Sequence, residues 1–180
     1  MDALLVVDMQ NACIDEVQRH DPEWIIASIN ELIRHFRDSQ KPVIFIQHED
    51  PSPEFRRGSD GWQISPRMDL QSCDRVVAKT YNDAFINTEL LSLLQQYDVD
   101  RLVITGCATD FCVDATVKGA ISHRFNIVVA ADGHTTAERP HVSAANLIAH
   151  FNWNWANLSS GDKAIEVLPA TEIIARLSHA

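Results

Sequence analysis

Residues 104–113 read Ile104-Thr105-Gly106-Cys107-Ala108-Thr109-Asp110-Phe111-Cys112-Val113, an apolar run that breaks at a glycine and carries two cysteines five positions apart. Upstream, Arg101 to Thr105 has the short apolar pattern of a buried strand. Downstream, from Asp110 or Phe111 onward, Val113, Val117, Ala120 and Ile121 fall on one face of a helix, with Cys112 in its first turn. Strand, glycine turn and helix in immediate succession is the unit from which α/β folds are built. The pair of cysteines admits three readings: a metal site, a redox pair, or one reactive thiol with a bystander.

The same alternation extends in both directions. Strands are expected at 3–7, 43–47, 75–78, 101–105, 126–130 and 164–168. Helices are expected from Asp21-Pro22 to Gln40, with Trp24, Ile25, Ile29, Leu32, Ile33 and Phe36 at helical spacing, and then at 90–97, after 110, at 141–151 and at 170–177. Residues 49–68, with three prolines and two glycines and no periodicity, read as a long loop or lid. No repeat or linker divides the chain, so residues 1–180 are expected to form one α/β domain, a parallel sheet with helices on both faces.

Composition narrows the function. Fifteen Lys+Arg against 25 Asp+Glu give a formal charge of -10, which repels phosphate backbones and anionic membrane surfaces. The start, MDALLVVDMQNACIDE, lacks the basic region of a signal peptide, and no segment reaches the roughly 20 apolar residues of a membrane helix. A cytoplasmic protein acting on a small molecule is expected, without nucleic-acid or membrane partners. Cysteines stand at 13, 73, 107 and 112 with no C-x-x-C, and in a reducing compartment they are core residues or reactive thiols rather than disulfides.

In a parallel sheet the C-terminal ends of the strands converge on one rim, where ligands bind. Asp8 follows the first strand, Lys79 ends the third and Cys112 lies just beyond the fourth. A first-turn cysteine feels the positive end of the helix, which is expected to lower its pKa. A carboxylate can take its proton, an ammonium can orient both, and the turn 106–109 can aim backbone N–H groups at an oxyanion. By spacing alone a structural reading stands beside this one, with Asp8 capping a turn, Lys79 solvated and Cys112 in the core.

Three blocks carry a further signal: VVDMQNACID at 6–15, VVAKTYNDAF at 76–85 and ITGCATDFCVDATVKGA at 104–120. In content and order they resemble the isochorismatase-like cysteine hydrolases, the superfamily of isochorismatases, nicotinamidases and N-carbamoylsarcosine amidohydrolases. The resemblance implies a three-layer α/β/α Rossmann-like fold with a mostly parallel six-stranded sheet. It implies Asp8 as general base, Lys79 as polarising cation and Cys112 as nucleophile. It also implies a cis peptide at Cys107-Ala108 and an oxyanion hole from the amides of Ala108 and Cys112. Because the superfamily's vinyl-ether hydrolases can dispense with the cysteine, retaining Cys112 points to C–N hydrolysis through a thioester. The nicotinamidases' metal requires several histidines after the second strand; only His48 stands there, so neither metal nor other cofactor is expected. The superfamily commonly forms dimers or tetramers, and the same is expected here.

Gln10, Asn11, Trp62, Tyr81, Phe85 and Phe111 are the candidate substrate contacts, each near a rim block or in the lid. Arg56 and Arg57 are read as surface charges, His134 as structural, and Cys13 and Cys73 as unreactive thiols. Trp153 and Trp155 are read as core or, somewhat better, as a subunit interface. Two other functions stay open: a vinyl-ether hydrolase for an isochorismate-like acid, and a catalytically silent binding or assembly module. A dinucleotide enzyme is set aside, since Asp8-Met9-Gln10 occupies the place of a G-x-G-x-x-G.

Overall fold

The computed structural model describes residues 1–177; residues 178–180 of the expected domain lie outside them. Six strands, β1 (Asp2–Val7), β2 (Val43–His48), β3 (Arg75–Lys79), β4 (Arg101–Cys107), β5 (Asn126–Thr135) and β6 (Ile165–Leu168), form one sheet in the order β3-β2-β1-β4-β5-β6. Every neighbouring pair is parallel. The chain starts at the centre, winds to one edge, then returns beside β1 to build the other half. That reversal leaves a crevice above the C-terminal ends of β1 and β4, the place where open parallel sheets hold ligands.

The helices are α1 (Asn11–Ile14), α2 (Pro22–Asp38), α3 (Leu90–Gln96), α4 (Asp114–Ser122), α5 (Ala144–Ala156) and α6 (Ala170–Leu177). Strand β1 is buried along its whole length because both faces are covered. Its Ala3, Leu5 and Val7 join a core with Leu90, Leu94, Val117, Ala120 and Trp155 of α3, α4 and α5. Leu4 and Val6 point the other way, into Ile29, Leu32, Phe36, Ile173 and Leu177 of α2 and α6. The result is three layers, each buried Leu, Ile or Phe contributing about 1.5–3 kcal/mol. Among the described residues no helix is long and apolar enough to cross a membrane.

Several elements depart from the expectations. Trp24, counted with the apolar face of α2, is 65% exposed, because it sits about 100° around the helix from Ile25. Helix α5 starts at Ser143, whose hydroxyl caps the Asn146 amide, and runs to Ala156 rather than over 141–151. Two residues apart on a helix means opposite faces, so the two tryptophans part company. Trp155 is wholly buried and donates to Asp114 Oδ1 at 3.1 Å, while Trp153 is 63% exposed. Residues 49–68 are strapped to the start of the chain, through Asn11 N to Gln63 O (2.9 Å), Ala12 N to Gly61 O (3.0 Å) and Ser65 N to Met9 O (3.0 Å).

Two features at the β4–β5 edge hold the rim together. Gly106 has φ +120°, and a Cβ there would lie 2.0 Å from the Val7 carbonyl oxygen, so only glycine lets β4 reach the crevice beside β1. Strand β5 slips in register, from Ile104 opposite Val129 to Gly106 opposite His134, which carries it on to Thr135 rather than ending at 130. His134 is fully buried at that slip. Asn152 Nδ2 donates to the Ala131 carbonyl, so its Oδ1 faces His134 Nε2 at 2.8 Å and accepts from it. His134 Nδ1 therefore accepts from the Thr109 hydroxyl at 2.9 Å, tying β5 and α5 to the turn that bears Cys112.

Two outcomes follow. Gly106→Ala is expected to cost upward of about 3 kcal/mol, read as a lower urea midpoint, since the clash is with backbone. Burial pushes the His134 imidazole down to about 4, against the Asn152 hydrogen bond that favours its charged form. Between that value and the ordinary 6.5 only the unfolded chain takes up the proton, so stability falls as pH drops through this window. The expected loss is about 2 kcal/mol between pH 7.5 and 5. Urea titrations of wild type and His134→Gln check it: the wild type should lose that much more than the variant, and equal losses would remove His134 as the cause.

Candidate active site

The rim of the sheet sets the site. Asp8 follows β1 directly, with φ 49°, a left-handed conformation that aspartate tolerates better than most residues, and its amide donates to Ile46 O at 2.9 Å. His48 and Lys79 end β2 and β3 opposite each other in register. Strand β4 leads across a cis Cys107–Ala108 peptide into a π-helical turn, Thr109–Val113, that presents Cys112. The α-helix expected from Asp110 or Phe111 begins only at Asp114.

Lys79 is the hub. Only 2% exposed, its ammonium donates to Asp8 Oδ2 at 2.7 Å, Cys112 Sγ at 3.2 Å and His48 Nδ1 at 3.4 Å. Three N–H donors meet three acceptors. His48, accepting at Nδ1, carries its proton on Nε2, which faces Asp50 Oδ2 at 3.2 Å. Burial pulls the Lys79 pKa down, but the Asp8 charge and the hydrogen bonds to Asp8 and Cys112 outweigh it and hold the amine above its ordinary value.

Cys112 behaves otherwise than the first-turn argument predicts. Burial first, then the Asp8 carboxylate, push its thiol above the ordinary range, and Lys79 recovers only part of this. The resting group is a thiol, not a thiolate. Asp8, 1% exposed, has its second oxygen, Oδ1, buried without a hydrogen-bond partner. The site thus holds a charged carboxylate with a free acceptor, a protonated thiol and an ammonium bound to both.

A cavity of about 350 Å³ opens over Asp8 and Cys112. Val17, Phe55, Phe111 and Ala137 give it apolar walls, and Ala108 borders it beside the cysteine. Phe111 is the one candidate contact that lies there; its ring sits 5.0 Å under the Arg139 guanidinium. Arg139 grips Asp110 with Nε at 2.8 Å and Nη2 at 3.0 Å, bracing the π-turn against the end of β5.

The other candidate contacts fall elsewhere. Gln10 is fully buried as a bracket, giving Nε2 to the carbonyls of His48 (2.9 Å) and Trp62 (2.7 Å) and accepting the His48 amide (2.8 Å). Asn11 holds the Asp60 carbonyl at 2.9 Å. Trp62 offers its own carbonyl to Gln10 and Gln47 rather than a cavity wall. Tyr81 is half exposed, and Phe85 packs in the core against His123 and Phe125. Proximity in sequence to a rim residue is not proximity in space, because side chains alternate about the backbone and a turn redirects them. Arg57 pairs with Glu49 at 3.0 Å, and neither it nor Arg56 borders the cavity.

Sequence reasoning missed His48 as a partner of Lys79, although the strand-end argument that selected Asp8 and Lys79 selects it too. Asn82, whose Oδ1 lies 3.6 Å from Cys112 Sγ, stands only three residues after Lys79. Arg19 and Arg139 border the cavity from loops with no sequence signal. Cys13 and Cys107 also border it, but Cys107 and burial push the Cys13 thiol up, and Cys107 lies 3.7 Å from the Cys13 carbonyl in the interior. A nicotinamidase-type metal does not fit, since His48 spends both nitrogens on Lys79 and Asp50, and no group of three His, Cys, Asp or Glu side chains stands ready among the described residues.

The family model of the isochorismatase domain matches residues 2–160. The uncharacterized isochorismatase family protein YddQ of Bacillus subtilis is 30% identical over 74% of this chain and 77% of its own. Ureidoacrylate amidohydrolase RutB of Serratia proteamaculans is 29% identical, over 84% of this chain and 77% of its own. The crystal structure of a hydrolase of the isochorismatase family from Chromobacterium violaceum superposes with a TM-score of 0.87 at 28% identity, covering 99% of this chain and 94% of that one. With the match running from β1 through β5 and taking in the rim residues those strands carry, the chain belongs to the isochorismatase family of hydrolases.

Proposed function

We propose that this hydrolase cleaves a C–N bond in a small amide or ureide through a thioester on Cys112. The observation that carries the reading is the orphaned, buried Asp8 Oδ1 beside a thiol that is protonated at rest. A thiol held above its ordinary pKa attacks only if a base takes its proton in the same step, and Asp8 has an acceptor left for it. Lys79, bonded to both Asp8 and Cys112, stabilises the thiolate as it forms and keeps the carboxylate oriented.

In the cycle, the sulfur bonds to the substrate carbonyl while its proton passes to Asp8. The resulting oxyanion lies where the amides of Ala108 and Cys112 serve as donors, each worth about 3 kcal/mol in a site closed to water. The C–N bond then breaks, Asp8 returns the proton to the departing nitrogen, and a thioester remains. Asp8 next takes a proton from water, whose oxygen attacks the thioester and releases the acid and the thiol. The naming of one relative as an amidohydrolase supports this choice of bond.

A panel of small amides, ureides and an isochorismate-like vinyl ether, assayed with acid-quenched intact-mass spectrometry, tests the proposal. The expected result is an acyl adduct confined to Cys112, with Cys112→Ala lowering kcat by about 10⁴-fold or more and Asp8→Asn by about 10²–10⁴-fold. Lys79→Met should lower kcat comparably without abolishing substrate binding. Turnover that survives Cys112→Ala but not Asp8→Ala would replace the thioester with vinyl-ether chemistry. A folded protein inactive on the whole panel, with an unmodified Cys112, would favour a binding module.

A further inference from the structure

The charges around the cavity leave one cation unmatched. Asp8 is neutralised by Lys79 at 2.7 Å, His48 is turned to Asp50 at 3.2 Å, and Arg139 is bound twice by Asp110. Arg19 borders the same cavity and has no carboxylate partner among the described residues. Its side chain is nonetheless fixed, because Nε donates to the Cys13 carbonyl. Its backbone is fixed as well. The next residue, His20, donates its amide to Thr136 O at 3.0 Å and accepts the Thr135 hydroxyl at 2.7 Å, which ties this loop to the end of β5.

A half-buried guanidinium with one N–H committed to a carbonyl keeps its other donors for a ligand, and its planar fork suits a carboxylate. In a chain of formal charge -10, such a cation on the lining of this cavity is a local exception to the surrounding field. Val17, Phe55 and Phe111 line the same cavity as Arg19 and Cys112 and give it apolar wall.

We infer that Arg19 is the specificity-determining residue of this cavity. It receives the carboxylate of an acidic substrate whose short apolar body spans the cavity to place the scissile carbonyl at Cys112. The inference rests on the thioester reading for the identity of the scissile group, but not for the charge preference. The substrate class is then a small amide or ureide that also bears a carboxylate, rather than a neutral or cationic amide.

The charge preference is measurable without any substrate, by labelling Cys112 with two maleimides that share a reactive ring, the anionic 3-maleimidopropionate and neutral N-ethylmaleimide. Peptide mass spectrometry reads both rates at Cys112, and exposed Cys73 supplies the intrinsic ratio in the same tube. In the wild type the anionic reagent should be favoured at Cys112 by about 10-fold relative to Cys73, the gain expected of one charge-assisted pair in a partly closed site. Arg19→Met should abolish the preference and Arg19→Lys restore part of it. Arg19→Gln, which keeps a donor for the Cys13 carbonyl while losing the charge, should behave as Arg19→Met and serves in its place if that variant does not fold. Equal ratios at Cys112 and Cys73 in the wild type, or a preference that survives Arg19→Gln, would overturn the inference. Failure of Cys112 to form an acyl adduct with any amide would instead strike the thioester reading and leave these ratios standing.

Discussion

The buried ammonium of Lys79 is the interaction on which the rest of the site depends. An isolated cation at that depth costs several kcal/mol, and it is retained because three acceptors from three different strands or turns meet it. The sheet order explains how they can. β1, β2 and β3 lie side by side, so Asp8, His48 and Lys79 stand along one edge of the crevice, and β4 brings Cys112 to it from the other side.

The same cation links geometry to reactivity. Asp8 is held by one oxygen, which leaves the other unpartnered in the interior, a placement that costs stability and persists at sites where an acceptor is needed. Cys112 is not activated in advance: burial and the neighbouring carboxylate outweigh the ammonium, and the thiol keeps its proton. In the proposed cycle reactivity therefore belongs to the three groups together and not to any one side chain. The braces around it, Thr109–His134–Asn152 on one side and Asp110–Arg139 on the other, fix the π-turn that presents the sulfur.

Much of this is legible in the sequence because it depends on local pattern. Short apolar runs ending at Asp8 and Lys79, and the glycine break at 106, locate the strand ends within a residue or two, and strand ends are what a parallel sheet brings together. What eludes the sequence depends on tertiary context. The extension of β5 to Thr135 arises from a register slip against Gly106 that no periodicity encodes. Gln10, beside Asp8 in sequence, is turned away to bracket His48 and Trp62, whereas Arg19 and Arg139 reach the cavity from loops placed by long-range hydrogen bonds. The expected acidification of Cys112 counted the helix end and omitted burial.

The most direct measurement of the central claim, that burial and the Asp8 carboxylate hold the Cys112 thiol up against the pull of Lys79, is the pH dependence of Cys112 alkylation in wild type and Asp8→Asn. Wild-type Cys112 should gain reactivity only above the pH range of an ordinary thiol. Asp8→Asn, which removes the opposing charge while leaving Lys79, should move that rise to lower pH. A wild-type profile at the ordinary thiol position, unmoved by Asp8→Asn, would contradict it.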